Sequence, residues 1–221
     1  MSNIYNSFLN VVKVTSELST LQQSARDLFR APNGFDVSSF AWTPHEKQSE
    51  NEWVYVWASI GATVYAEGPR KKNPIGRLLL CMDLYRETAP TTAKAALPHA
   101  SESLLTCVFI SGKNVTDKTY DPLALQFDTS GWPIYADMFV AHEGGRLLQY
   151  LEQDDRDNPD WTKREWLFAV PLSAISNTAQ FRKELVEPFW NLISNKREDT
   201  IFPESGAACR FPLSRPAAPP S

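Results

Sequence analysis

Asp83, Asp137 and His142 are the side chains best suited to acid–base work in this chain. An imidazole titrates near neutral pH, and a carboxylate beside it can fix its tautomer, so a His–Asp pair is the simplest set that moves protons at pH 7. His142 stands next to Glu143 and just before Gly144-Gly145, at the end of a predicted strand. The spacing works against a pair, however. Asp137 and His142 are five positions apart, and a regular strand points such residues to opposite faces, so only a bulge would bring them together. The plainer reading makes His142 and Glu143 solvated residues beside a turn. An enzyme built on these candidates needs a pocket assembled from distant segments.

Other chemistries find less support. No glycine pattern of a phosphate-cradling loop occurs, and the G-x-S-x-G and S-x-x-K patterns of serine nucleophiles are missing. Cys81 and Cys107 sit inside the apolar runs LLLCMDL and LLTCVFI, while Cys209 lies in a Pro-rich end segment. An odd count without paired spacing describes neither a disulfide framework nor a zinc site. Cys81 and Cys107 read as small buried hydrophobes, and the alternative, a nucleophile, lacks a histidine partner in the sequence. EQDDRDNPD, 152–160, is acidic but has no glycine and no terminal glutamate, so it fails as a calcium loop and reads as a charged connection. No metal and no cofactor is expected. Arg70, Lys71 and Lys72 form a basic tip within the 69–74 turn, which is either a solvated turn or a grip for phosphates or an acidic partner.

Composition narrows the partners. The 221 residues are 43% hydrophobic with a net charge of -4, enough apolar material for a sizeable core and the wrong sign for a general nucleic-acid binder. No stretch reaches the ~18 apolar residues of a membrane span. The N-terminal residues lack the pattern of a signal peptide. A cytoplasmic protein is expected.

The elements that would position these groups follow from periodicity. Residues 3–30 read as a helix or a helix pair, with Ile4, Phe8, Val11, Leu18 and Ala25 on one face. Pro32-Asn33-Gly34 ends it, and 33–51 reads as a loop. Strands are predicted around 52–66, 75–87 and 103–112, with a short edge strand at 123–127, a hairpin turning at Gly144-Gly145, and a strand at 164–172. Asn177 followed by Gln180 starts a last helix, which Pro188 should kink. The fold class is therefore α+β: an antiparallel sheet of about five to seven strands flanked by helices from both chain ends. Residues 1–200 form one domain, and 201–221 a Pro/Ala/Ser-rich tail, extended or disordered.

Seven tryptophans in 221 residues are the remaining anomaly. Trp53, Tyr55 and Trp57 share one face of a predicted strand, and Trp166 lies on another. A Trp-rich core explains them, and so does a partner surface left uncovered by the helices, because Trp buries a large area with few rotors. With no coherent catalytic set, the preferred function is a non-catalytic protein–protein interaction module or accessory subunit that uses an aromatic-rich sheet face or edge. The alternatives are the enzyme above and nucleic-acid contact through the basic tip.

Overall fold

The computed structural model describes residues 16, 19–21, 23–29, 35–46, 55–66, 73–83, 103–112, 139–150, 157–196 and 201–211, with side chains for all of these except 39–46, 55–58 and 83. Strands β1 (Phe35–Glu46), β2 (Tyr55–Ala66), β3 (Asn73–Asp83), β4 (Leu104–Ser111), β5 (Phe139–His142), β6 (Leu147–Tyr150) and β7 (Trp166–Pro171) form one 7-stranded sheet. Its order is β1-β2-β3-β4-β7-β6-β5, and all neighbours are antiparallel. Two meanders, β1 to β4 and β5 to β7, thus meet where β7 docks on β4, with Leu104 opposite Pro171 and Phe109 opposite Trp166. The α+β class and the antiparallel sheet match the sequence reading. The expected edge strand at 123–127 and the basic tip lie outside the described residues.

Alternation along the inner strands builds two cores. Ile60, Val64, Leu78, Leu80, Leu105, Phe109 and Phe168 face one side and pack with Phe29, Phe181, Leu185 and Phe189 of the helices. Leu79, Cys81, Val108, Ile110, Leu167 and Ala169 face the other. Burial of both faces explains why the β3 and β4 sequences read as nearly unbroken apolar runs. Phe109 stacks on Trp166 at 5.3 Å and meets Phe189 edge-on at 6.3 Å. Its ring also lies over Gly76, where a Cβ would stand 2.4 Å from Phe109 Cζ.

Residues 35–46, read as loop from sequence, form the edge strand β1, and the reason is visible in the register. Val37 pairs with Val64 and Trp42 with Ile60, yet between Ser38 and Ala41 the register shifts. One extra residue on β1 reverses the odd–even pattern, so Val37 and Trp42, of opposite parity in the sequence, pair with Val64 and Ile60, which have the same parity on β2. Pro44 adds to the disguise and is tolerated because β1 is outermost.

Helical backbone occurs at 16, 19–21 and 23–28, and Ala25 and Phe29 are buried. The last helix opens as expected: the Asn177 side chain accepts the Gln180 N–H at 2.9 Å. It runs as Thr178–Phe181, a π-helical turn Arg182–Val186, and Glu187–Ile193. Pro188 has no N–H to donate, and the wide turn absorbs the lost bond, with Glu187 N–H reaching Arg182 O five residues back. Among the described residues, no helix is long and apolar enough to cross a membrane.

The segment assigned to the tail begins inside the body. Ile201, Phe202, Ala208, Cys209 and Phe211 are all buried. Cys209 N–H donates to Ala169 O at 2.8 Å and Phe211 N–H to Gly145 O at 2.8 Å.

Candidate functional site

Among the described residues, a group of polar and aromatic side chains gathers around His142, on the outermost strand of the sheet. The β5–β6 hairpin turns through Glu143–Gly145, where Glu143, Gly144 and Gly145 have φ of 53°, 61° and 90°. Two glycines adopt such values at no steric cost, whereas Glu143 is strained. Arg146 holds it: its Nε donates to Glu143 O at 3.2 Å, and its Nη2 lies 3.7 Å from the Glu143 carboxylate.

His142 leaves β5 just before this turn. Its Nε2 is 2.9 Å from Gln149 Oε1, and Arg164 Nη1 donates to the same oxygen at 3.1 Å. Because a guanidinium only donates, the group facing it is the amide oxygen, and His142 Nε2 must carry a proton to bond there as well. That nitrogen is a donor and not a base. The imidazole meets Trp161 edge-on at 5.4 Å, and the Arg164 guanidinium lies 4.5 Å from the same indole centroid. Cation–π attraction therefore holds Arg164 where it can reach Gln149.

Trp161 is fixed from below. Its N–H donates to Asn195 Oδ1 at 2.8 Å, and its carbonyl accepts Trp166 Nε1–H at 3.1 Å. Asp160 caps the short turn Trp161–Lys163: its Oδ1 accepts Thr162 N–H at 2.9 Å, Thr162 Oγ1–H at 2.7 Å and Asn195 Nδ2–H at 2.8 Å. Partial burial pushes the Asp160 carboxyl upward, but the bonds from Asn195 and Thr162, with the charge of Lys163, outweigh it and hold the carboxyl below its ordinary value. A depressed folded-state value gives stability that is complete above the usual aspartate pKa of about 3.9 and is lost as pH falls through the folded value. Asp160→Asn is expected to lower stability at pH 7 by about 0.5–1 kcal/mol, a small figure because the group is partly exposed and screened. Thermal melts at pH 7 and pH 3 check it, and the gap between wild type and variant should shrink at the lower pH.

The other candidates do not join this group. Asp137 lies outside the described residues. Asp83 ends β3 opposite Trp57 and Leu104. Three strands, β4, β7 and β6, separate β3 from β5, which at about 4.8 Å per strand spacing puts roughly 19 Å between the two backbones. The sheet keeps Asp83 and His142 apart. Among the described residues no cluster of metal-ligating side chains occurs. Cys107 is fully buried, and burial, with the nearby Cys81, pushes its thiol well above its ordinary value, which keeps it protonated and poorly nucleophilic.

The partner-binding candidates divide similarly. Trp166 is 1% exposed, stacks on Phe109 and Phe168, and offers no surface. Trp57 pairs in register with His45 and Asp83, and Tyr55 with Glu46. Trp53, Arg70, Lys71 and Lys72 lie outside the described residues. Sequence reading missed Gln149, Trp161, Arg164 and Asn195, and the signal it could have used was Asp160 two positions before Thr162, a local capping pattern. Comparison with protein-family models, with curated proteins and with solved structures gives no match.

Proposed function

We propose that the protein is a non-catalytic, cytoplasmic docking protein, an accessory subunit that receives an extended segment of a protein partner on the outer edge of β5, the last strand of the sheet among the described residues. The observation that carries this reading is Val140. At 39% exposed it is the one exposed large hydrophobic among the described residues, and it sits on the outermost strand. An unpaired strand edge offers a row of N–H and C=O groups for β-addition, and an apolar side chain beside it adds grip. The opposite edge is less suitable, because a bulge and Pro44 both interrupt β1. The rigid support of β5 by His142, Gln149, Arg164 and Trp161 favours a preorganised edge over a mobile one. Buried thiols at all three cysteines suit a reducing compartment. The four residues of β5 leave room for a short and weakly held strand.

Val140→Lys should weaken partner binding or self-association by about tenfold or more while changing stability by less than about 0.5 kcal/mol. Co-purification from the native cell with mass spectrometry, sedimentation at micromolar concentration, and amide exchange of 139–142 with and without the partner provide the readouts. Complete lack of association, or a partner that leaves those amides unprotected, contradicts the reading.

A further inference from the structure

Two side chains that can both carry positive charge converge on one amide oxygen. His142 Nε2 lies 2.9 Å and Arg164 Nη1 3.1 Å from Gln149 Oε1, so the two nitrogens are at most about 6 Å apart. Each donor is also held from a second side. The His142 ring meets Trp161 edge-on, while the Arg164 guanidinium lies over the same indole and its Nε donates to Asn158 O. Gln149 itself is buried and pairs in register with Val140. The oxygen ties three segments together. Through it β5 is joined to β6, and β6 to the residues that lead into β7, reinforcing a β6–β7 ladder made at Leu148–Leu167 and Gln149–Trp166.

The imidazole that bonds Gln149 already carries a proton on Nε2, so acidification adds the second at Nδ1. The bond to Gln149 survives that step, because both nitrogens of an imidazolium donate. What changes is the charge. Two cations then share one acceptor beside a buried side chain, where water screens them less than in bulk solvent. Arg164 is the member that can leave, since Nη1 can turn away while Nε stays on Asn158 O.

The other charged groups on the surrounding elements are committed differently. At the turn, Arg146 lies 3.7 Å from the Glu143 carboxylate, and the exposed Arg210 reaches Gly144 O. Below the indole, Asp160 accepts from Thr162 and Asn195, while Asp157 and Lys163 are exposed. Glu165 O accepts Tyr150 N–H at 3.0 Å, which sets Glu165 beside Tyr150, one position out of phase with Gln149. Arg164 is the charge that shares an acceptor with the imidazole.

We propose that His142, Arg164 and Gln149 form a pH-sensitive latch on the β5–β6 hairpin: protonation of His142 drives Arg164 off Gln149 and loosens the hairpin from β7. The sign follows from the charges. The closed latch favours the neutral imidazole, so its contribution is complete above the usual histidine value of about 6.5 and is lost as pH falls below it. Carboxylates titrate lower, and Asp160 is held below even their ordinary value. The latch belongs to the single chain and is independent of any partner at β5.

Side-chain NMR on the full chain tests it. Between about pH 5 and 7 the Gln149 side-chain amide and the His142 ring should shift together with one midpoint, and protection of the 147–150 amides should fall about threefold or more. Arg164→Gln keeps a donor and removes the charge. It should raise the His142 midpoint by about 0.5–2 pH units, the range for unit charges at this separation between water-like and protein-like screening. His142→Gln keeps a donor that does not titrate, and the Gln149 step should vanish. A Gln149 signal that stays flat while His142 titrates, or a midpoint that Arg164→Gln leaves unmoved, overturns the proposal. Should either variant fail to fold, the wild-type titration decides: a joint step with lost protection supports the latch, and a flat Gln149 signal or unchanged protection overturns it.

Discussion

Trp166→Ala is expected to lower the unfolding free energy by about 3–5 kcal/mol, the range for truncating a fully buried aromatic. The indole is 1% exposed and stacks between Phe109 at 5.3 Å and Phe168 at 6.3 Å, with Phe189 at 5.8 Å. Its removal leaves a cavity at the centre of the helix-side core, where neighbouring strands cannot close in without breaking the β4–β7 ladder. The Trp161 carbonyl loses the indole N–H but keeps Arg164 N–H at 3.3 Å, so lost packing dominates the effect. Trp166→Phe should recover more than half of the loss. Urea unfolding checks both, with a lower midpoint and an unchanged slope expected for a cooperative two-state domain.

Gly145→Ala should lower stability by at least about 2 kcal/mol, because two independent faults coincide there. Its φ of 90° is one that a side chain rarely adopts, and a Cβ would stand 2.3 Å from Phe211 O. Backbone cannot swing aside as a side-chain end can. Gly144→Ala provides the contrast. Its φ is 61°, and the atom in the way is Arg210 Nη1 at 2.9 Å, the far end of a flexible exposed side chain. About 1 kcal/mol is expected at that position. Thermal melts of the two variants, with amide exchange at Cys209 and Phe211, distinguish loss of the C-terminal segment from simple turn strain.

Legibility in the sequence followed the range of the interactions. Local patterns were readable: the Asn177–Gln180 helix start, the Gly144-Gly145 turn and the apolar runs of β3 and β4 each depend on neighbours a few residues away. β1 was missed because its register shifts between Ser38 and Ala41, which reverses the odd–even pattern there. Residues 201–211 were missed because proline, alanine and serine dominate the composition around them, and only Ala208, Cys209 and Phe211 alternate. The group at His142 was least legible. It joins Gln149, Trp161, Arg164 and Asn195, and contacts such as Trp161 to Asn195, 34 positions apart, leave no periodic trace. The tryptophan surplus was visible, but its destination was not, since Trp161, Trp166 and Trp190 are buried at 4%, 1% and 7%.

Burial of these three indoles is the reason the proposed docking is placed on a strand edge and not on them. Incorporating 5-fluorotryptophan and adding a soluble paramagnetic agent tests it most directly, with each fluorine resonance assigned by a single Trp→Phe replacement. The resonances of Trp161, Trp166 and Trp190 should stay sharp as the agent is titrated. Broadening of Trp166 to the extent seen for an exposed indole in the unfolded chain would contradict the account.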